Sequence, residues 1–237
     1  MVKRGLIIGL GEVGKAVQET VCPDAATYDT NTRNYKTGQI DVMHICFPYS
    51  DKFVQQVKDY RGRYEPDYIA IWSTVPIGTT KKIGKAVIHT PVEGKHPKLA
   101  RSIKLMPRWV GHNSIRSADF FNTYFADRHL KVKLVPNTDH TEALKLLSTT
   151  EYGINIIFAD YKARVAHNLD MDFELTKEFN RDYNQLYREL GLDRHFQKFV
   201  LDPPNGKIGG HCLAPNAKLI NEQYPDDWVE RLISYGD

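Results

Sequence analysis

The strongest constraint on how this chain folds lies close to its start. A short apolar run, Leu6-Ile7-Ile8, leads into Gly9-Leu10-Gly11-Glu12-Val13-Gly14, and a helix-patterned stretch from Val13 to Thr20 follows. A GxGxxG alone is a weak signal, but between a strand and a helix it marks a βαβ unit that binds a dinucleotide. The first glycine makes the tight turn, the second lets the backbone approach a pyrophosphate, and the third lets the helix pack on the sheet. The helix N-terminus adds amide donors and partial positive charge, so the main chain of Glu12 and Val13 joins Gly9, Gly11 and Gly14 in the cofactor set. Asp29 follows a second apolar run, Ala26-Thr27-Tyr28, at the spacing of a ribose-binding acid. A carboxylate there favours the free 2′-hydroxyl of NAD and repels the 2′-phosphate of NADP.

Further apolar runs at Val42 to Phe47, Tyr68 to Trp72, Ala86 to His89 and Lys131 to Val135 alternate with helix-like stretches. This pattern predicts an α/β fold, a doubly wound, mostly parallel Rossmann sheet. Beyond Pro136 the character changes. Asp139 reads as a helix cap with Glu142 as its capping partner, and helical patterning continues to about Arg164. A second helix is expected from Asp172 to Leu190, stopped by Gly191. The expected organisation is an NAD-binding domain over residues 1–136 and an all-helical substrate and dimerisation domain over residues 137–237.

Charge narrows the partners. With 32 basic and 29 acidic residues the net charge is +3, which gives no footprint for nucleic acid. The apolar stretch after Met1-Val2-Lys3-Arg4 is broken by Gly9 and Gly11, so neither a signal peptide nor a membrane span is expected. Cys22, Cys46 and Cys212 are odd in number and widely spaced, which argues against a disulfide framework and a zinc site. The expectation is a cytoplasmic protein without a metal. His89, His96 and His112 read as loop or core residues, and His44 as a satisfied core histidine.

Four segments carry a resemblance to the nucleotide-sugar 6-dehydrogenases, the UDP-glucose and GDP-mannose dehydrogenase family. They are Gly9 to Gly14, then Asp41 to Pro48, then Ser73-Thr74-Val75-Pro76-Ile77-Gly78-Thr79, and finally Gly209-Gly210-His211-Cys212-Leu213. The second is similar to the family's strand ending in a proline beside the cofactor. The third is close to its STVPxGT, and the fourth to its GGxC nucleophile loop. Between the last two, Glu142-Ala143-Leu144-Lys145-Leu146 resembles the helix bearing the catalytic lysine. The order along the chain is the family's order. The likeness is to a compact version: a third, C-terminal nucleotide-binding domain is not expected, and Tyr28 and Val42 are joined by a short connection.

The resemblance implies roles residue by residue. Cys212 is the nucleophile that adds to an aldehyde to form a thiohemiacetal and then a thioester. It sits between a glycine-rich turn and a helix start, where helix-end amides favour a thiolate; Cys22 and Cys46 lack such surroundings and read as structural. Lys145 orients the substrate hydroxyl and stabilises an oxyanion, and Thr149 and Tyr152 share its helix face. Thr74 is similar to the family threonine near the nicotinamide and the catalytic water, and Pro48 and Ser73 flank the cofactor. Gly206, Gly209 and Gly210 let the chain wrap closely around substrate.

Three departures stand beside these. The family has asparagine where this chain has Thr149, and aspartate where it has Asn216, which cannot accept a proton as a carboxylate does. The family glutamate follows a Ser-Pro pair; here Thr90-Pro91 is followed by Val92 and then Glu93, which either fills the role after a shift or is a loop surface acid. The expectation is an NAD-dependent oxidation of a sugar or sugar-nucleotide primary alcohol by a homodimer. The alternatives are a two-electron dehydrogenase of another small hydroxy acid or sugar, and a non-catalytic NAD-binding subunit.

Overall fold

The computed structural model describes residues 4–30, 39–95, 97–208 and 212–236. The chain divides into two compact units, Met1–Leu146 and Leu147–Asp237. No described helix is long and apolar enough to cross a membrane.

The first unit is built on a seven-stranded sheet in the order β2-β1-β3-β4-β5-β6-β7. Its strands are β1 (Gly5–Ile8), β2 (Ala26–Tyr28), β3 (Val42–Ile45), β4 (Tyr68–Ile71), β5 (Val87–His89), β6 (Arg108–His112) and β7 (Val132–Pro136). Helices α1 (Glu12–Thr20), α2 (Phe53–Tyr64), α3 (Leu99–Leu105) and α4 (Ile115–Ala126) connect them. Alternate side chains of each strand serve opposite faces. Leu6, Ile8, Met43, Ile45, Ile69, Ile71 and Val87 pack with Phe53 and Val57 of α2. Ile7, Val42, Ala70, Trp72, Ile88 and Val110 pack with Ala16 and Val17 of α1, Ile103 of α3, and Phe121 and Phe125 of α4. Both faces are covered, so the strands read as continuous apolar runs and the sheet is doubly wound, as the sequence pattern implies.

The sheet departs from that pattern at β6. It runs antiparallel to β5 and parallel to β7. Its sequence, Arg108-Trp109-Val110-Gly111-His112, follows Pro107 and has no apolar run, so strand periodicity does not reveal it.

A long helix, α5 (Thr138–Asn168), carries the last residues of the first unit and the first of the second. It starts one residue before the expected cap, and the Asn137 side chain accepts from the Asp139 N–H at 2.9 Å. Glu142 is not a capping partner: its carboxylate is turned to the loop after β4, where two main-chain donors await it. In the second unit α5 is followed by α6 (Phe173–Glu189), α7 (Leu213–Asn221) and α8 (Asp227–Ser234). Asp172 caps α6 through the Glu174 N–H. Ile157, Ile208, Leu213, Ala217 and Leu232 form the small core of this unit. By contrast, α6 buries only the polar Asn180, while Leu175, Phe179 and Leu186 are 52%, 67% and 50% exposed. A helix usually owes its stability to the packing of its apolar face, and here that face is uncovered.

Candidate active site

In the first unit the strand order contains a switch point. β1 pairs with β2 on one side and β3 on the other, so the sheet reverses direction of build at β1. In open α/β sheets ligands bind outside the carboxyl ends of the strands at such a switch point. The Gly9–Gly14 turn, Phe47-Pro48 and Ser73-Thr74 follow the carboxyl ends of β1, β3 and β4.

The three glycines are distinguishable by what a Cβ would meet. Gly9 has φ +94°, and a Cβ there would lie 2.9 Å from the Phe47 nitrogen. A Cβ on Gly14 would lie 1.9 Å from the Gly9 carbonyl oxygen, so α1 could not start so close to the turn. At Gly11 a Cβ would meet nothing within 4 Å. The first and third glycines are therefore required by the protein itself, and the second borders open space, as a backbone that receives a pyrophosphate should. The α1 N-terminus makes no side-chain cap hydrogen bond. Asp29 follows β2 and ties the turn down, accepting from the Leu10 N–H at 2.6 Å on one oxygen and from the Thr30 N–H at 2.6 Å on the other. The Leu10 N–H, then that of Thr30, holds this carboxyl below the usual range. An ionised acid, an open glycine cradle and an uncapped helix start fit a dinucleotide with a free ribose diol.

Neighbouring turns are laced together. The Ser73 hydroxyl donates to the Phe47 carbonyl at 2.6 Å, joining the turns after β4 and β3. Buried His89 spans from the Ser73 carbonyl (3.3 Å, Nε2) to the Thr141 hydroxyl (2.9 Å, Nδ1). Thr74 is half-buried in the turn, and Pro48 is exposed.

Lys145 and Glu93 come together. Lys145 Nζ lies 3.2 Å from Glu93 Oε2 and donates to the Val92 carbonyl at 2.8 Å. Arg108 on β6, which the sequence did not single out, is fully buried and donates to the Pro91 carbonyl at 3.3 Å and the Met106 carbonyl at 3.2 Å. Burial lowers its pKa to about 10, against the opposing pull of Glu93. Two cations thus hold successive carbonyls of the Pro91-Val92 segment that presents Glu93. Only the charged Arg in a strand flanked by aromatic and glycine residues could have signalled this, and that is no recognisable pattern.

In the second unit Cys212 is exposed and occupies the N-cap position of α7, whereas Cys22 and Cys46 are buried. Burial pushes the Cys22 thiol up to about 12 and raises that of Cys46 as well. Thr149 and Asn216 are partners: the Asn216 amide donates to the Thr149 hydroxyl at 3.2 Å. Tyr152 lines a cavity of about 300 Å³ with Ile156, Val200, Asp202, Pro204 and Ile208. Gly206 has φ +82°. Gly209, Gly210 and His96 lie outside the described residues. Among the described residues no three His, Cys, Asp or Glu side chains are grouped to hold a metal ion.

Solved structures share this fold across nearly the whole chain. A UDP-D-ManNAc dehydrogenase from Pyrococcus horikoshii superposes with a TM-score of 0.79 at 16% identity, over 98% of this chain and 68% of that one. A UDP-glucose dehydrogenase from the hyperthermophilic archaeon Pyrobaculum islandicum gives 0.72 at 16% identity, over 99% and 68%. A Mycobacterium tuberculosis 3-hydroxyisobutyrate dehydrogenase, solved with L-serine, gives 0.70 at 11% identity, over 99% and 93%. No family model and no curated protein sequence matches. The likeness to the nucleotide-sugar dehydrogenases read from four short segments therefore extends to the fold.

Proposed function

We propose that this chain is an NAD-dependent dehydrogenase that oxidises the primary alcohol of a sugar or nucleotide sugar. Residues 1–136 form its cofactor-binding part, and residues 137–237 its substrate and dimerisation part. The observation that carries this reading is the Lys145–Glu93 pair, in the same unit as a glycine turn whose middle residue opens onto free space. The shared fold with dehydrogenases of UDP-sugars supports it.

When bound, NAD supplies the acceptor for a hydride. Lys145 orients the substrate hydroxyl and stabilises the oxyanion that forms as its proton leaves, and the Glu93 carboxylate receives that proton. Thr74 borders the nicotinamide end. The Cys212 thiolate adds to the resulting aldehyde carbon, giving a thiohemiacetal that again bears a hydrogen on carbon. With a second NAD bound as acceptor, loss of that hydrogen as a hydride would leave a thioester, which water would cleave to the acid and the free thiol. The exposed apolar face of α6, with Phe158 and Tyr161 of α5, is assigned to contact with a second copy of the chain.

A second reading has its own observation. The Thr149–Asn216 pair contains no carboxylate, so nothing in it accepts a proton during thioester hydrolysis. This favours a single two-electron oxidation of a small hydroxy acid or sugar, a reading to which the 93% coverage of the 3-hydroxyisobutyrate dehydrogenase chain also lends support. Counting NADH formed per substrate molecule consumed separates the readings. Two identify the four-electron oxidation, one the two-electron enzyme, and none with retained NAD binding a non-catalytic subunit.

A further inference from the structure

We infer that Glu142 is a positioning residue, latching the Ser73–Thr80 turn to the start of α5 and so shaping the nicotinamide end of the cofactor site. The inference rests on the dinucleotide reading above. Glu142 is fully buried, and both of its oxygens accept main-chain amides of that turn: Gly78 N–H at 2.6 Å and Thr80 N–H at 2.8 Å. A buried carboxylate is costly unless it is hydrogen-bonded, and for packing alone an apolar residue would serve this helix better. Burial raises the Glu142 pKa, and the Thr80 and Gly78 donors oppose that rise.

The turn is held at its other end too. The preceding residue on α5, Thr141, bonds His89, which bonds the Ser73 carbonyl, and all three side chains are fully buried or nearly so. A surface ion pair, Lys81 Nζ to Asp139 at 2.6 Å, adds a third link. Thr74 to Ile77 are thus suspended between two tethers that both originate in the first two turns of α5. Glu142 and Lys145 lie three residues apart on one helix face. That face therefore grips the turn after β4 through Glu142 and the segment after β5 through Lys145.

Strand order says which part of the cofactor this affects. Asp29, after β2, marks the adenosine ribose side, and the glycine turn after β1 takes the pyrophosphate. The remaining half of the dinucleotide then lies toward β3 and β4, where the latched turn begins. A loosened latch should disturb binding of the nicotinamide half and leave the adenosine half alone.

The test is titration of the full chain with NADH and with ADP-ribose, which lacks the nicotinamide. In Glu142→Gln one oxygen still accepts an amide, but the new NH2 faces the other donor. The NADH Kd should rise on the order of tenfold, as expected for a lost charge-assisted hydrogen bond, while the ADP-ribose Kd stays unchanged. Emission of bound NADH should shift with it. Thr141→Val cuts the other tether without removing a charge and should give the same split, which keeps the test decisive if Glu142→Gln does not fold. Equal weakening of both ligands, or no change in either, overturns the latch. Failure of the unaltered protein to bind either ligand overturns the dinucleotide reading and this inference with it.

Discussion

Mild acid should destabilise the first unit well before its carboxylates titrate, because two histidines are buried in neutral form. His44 Nδ1 accepts from the Trp72 indole N–H at 3.0 Å, and an indole nitrogen can only donate, so that nitrogen carries no proton. Its Nε2 lies 2.9 Å from the Tyr124 hydroxyl. His89 Nε2 faces the Ser73 carbonyl, which can only accept, so the proton sits there. Burial pushes both rings from 6.5 down to about 3. The unfolded chain takes up protons below 6.5 and the folded chain does not, so stability falls as the pH drops from 6.5 toward about 3. Each ring contributes about 1.4 kcal/mol per pH unit in that window. At about pH 5.5 the two together cost about 3 kcal/mol relative to about pH 8, a large share of a typical domain's ~5–15 kcal/mol. Urea unfolding at several pH values measures this directly. His44→Leu should be less stable at about pH 8 yet lose only about half as much on acidification. If the variant keeps the full slope of the unaltered protein, His44 is not the neutral buried base described here.

The glycine assignments separate in a pair of variants: Gly14→Ala should cost on the order of 3 kcal/mol of stability because its Cβ strikes the Gly9 carbonyl. Gly11→Ala should keep its Tm and weaken NADH binding, and a normal NADH Kd would remove Gly11 from the pyrophosphate site. NAD should bind more tightly than NADP, and Asp29→Ala should narrow the difference while weakening both, since the Leu10 N–H loses its acceptor; equal binding of the two cofactors by the unaltered protein would refute the ribose role. Cys212→Ser should stop at the aldehyde or accumulate an ester adduct visible by intact mass, whereas Lys145→Ala should slow both hydride transfers. Full conversion to acid by Cys212→Ser would end the thioester mechanism. Light scattering at micromolar concentration should find a dimer, and Phe179→Glu on the exposed face of α6 should give a folded monomer; a monomeric unaltered protein contradicts the interface.

What the sequence determined by itself is local. The strand, glycine turn and helix at the N-terminus depend on spacing over a few residues, and steric rules for glycine act at that range. The apolar runs of β1, β3, β4 and β5 likewise announce a sheet covered on both faces, because each of these strands buries nearly every side chain. The helix at α6 was legible for the same reason, whereas its Asp172 cap is seen only in the structure.

Tertiary structure decided the rest. β6 is a strand only because β5 and β7 flank it; its Arg108 and Gly111 have no strand pattern of their own. Glu142 matched a capping box in sequence, but the amides of Gly78 and Thr80 outcompeted the local partner once the turn after β4 was packed against α5. Nothing near Glu93 in the sequence names a partner for it, and the fold brings Lys145 to 3.2 Å. Two of the three departures from the family pattern, Thr149 and Asn216, are hydrogen-bonded to each other. In each case the deciding contact joins residues far apart in the chain. Residue type says which hydrogen bonds a side chain can make, but only the folded backbone brings a distant donor within reach, and a buried polar group then takes the partner it finds there.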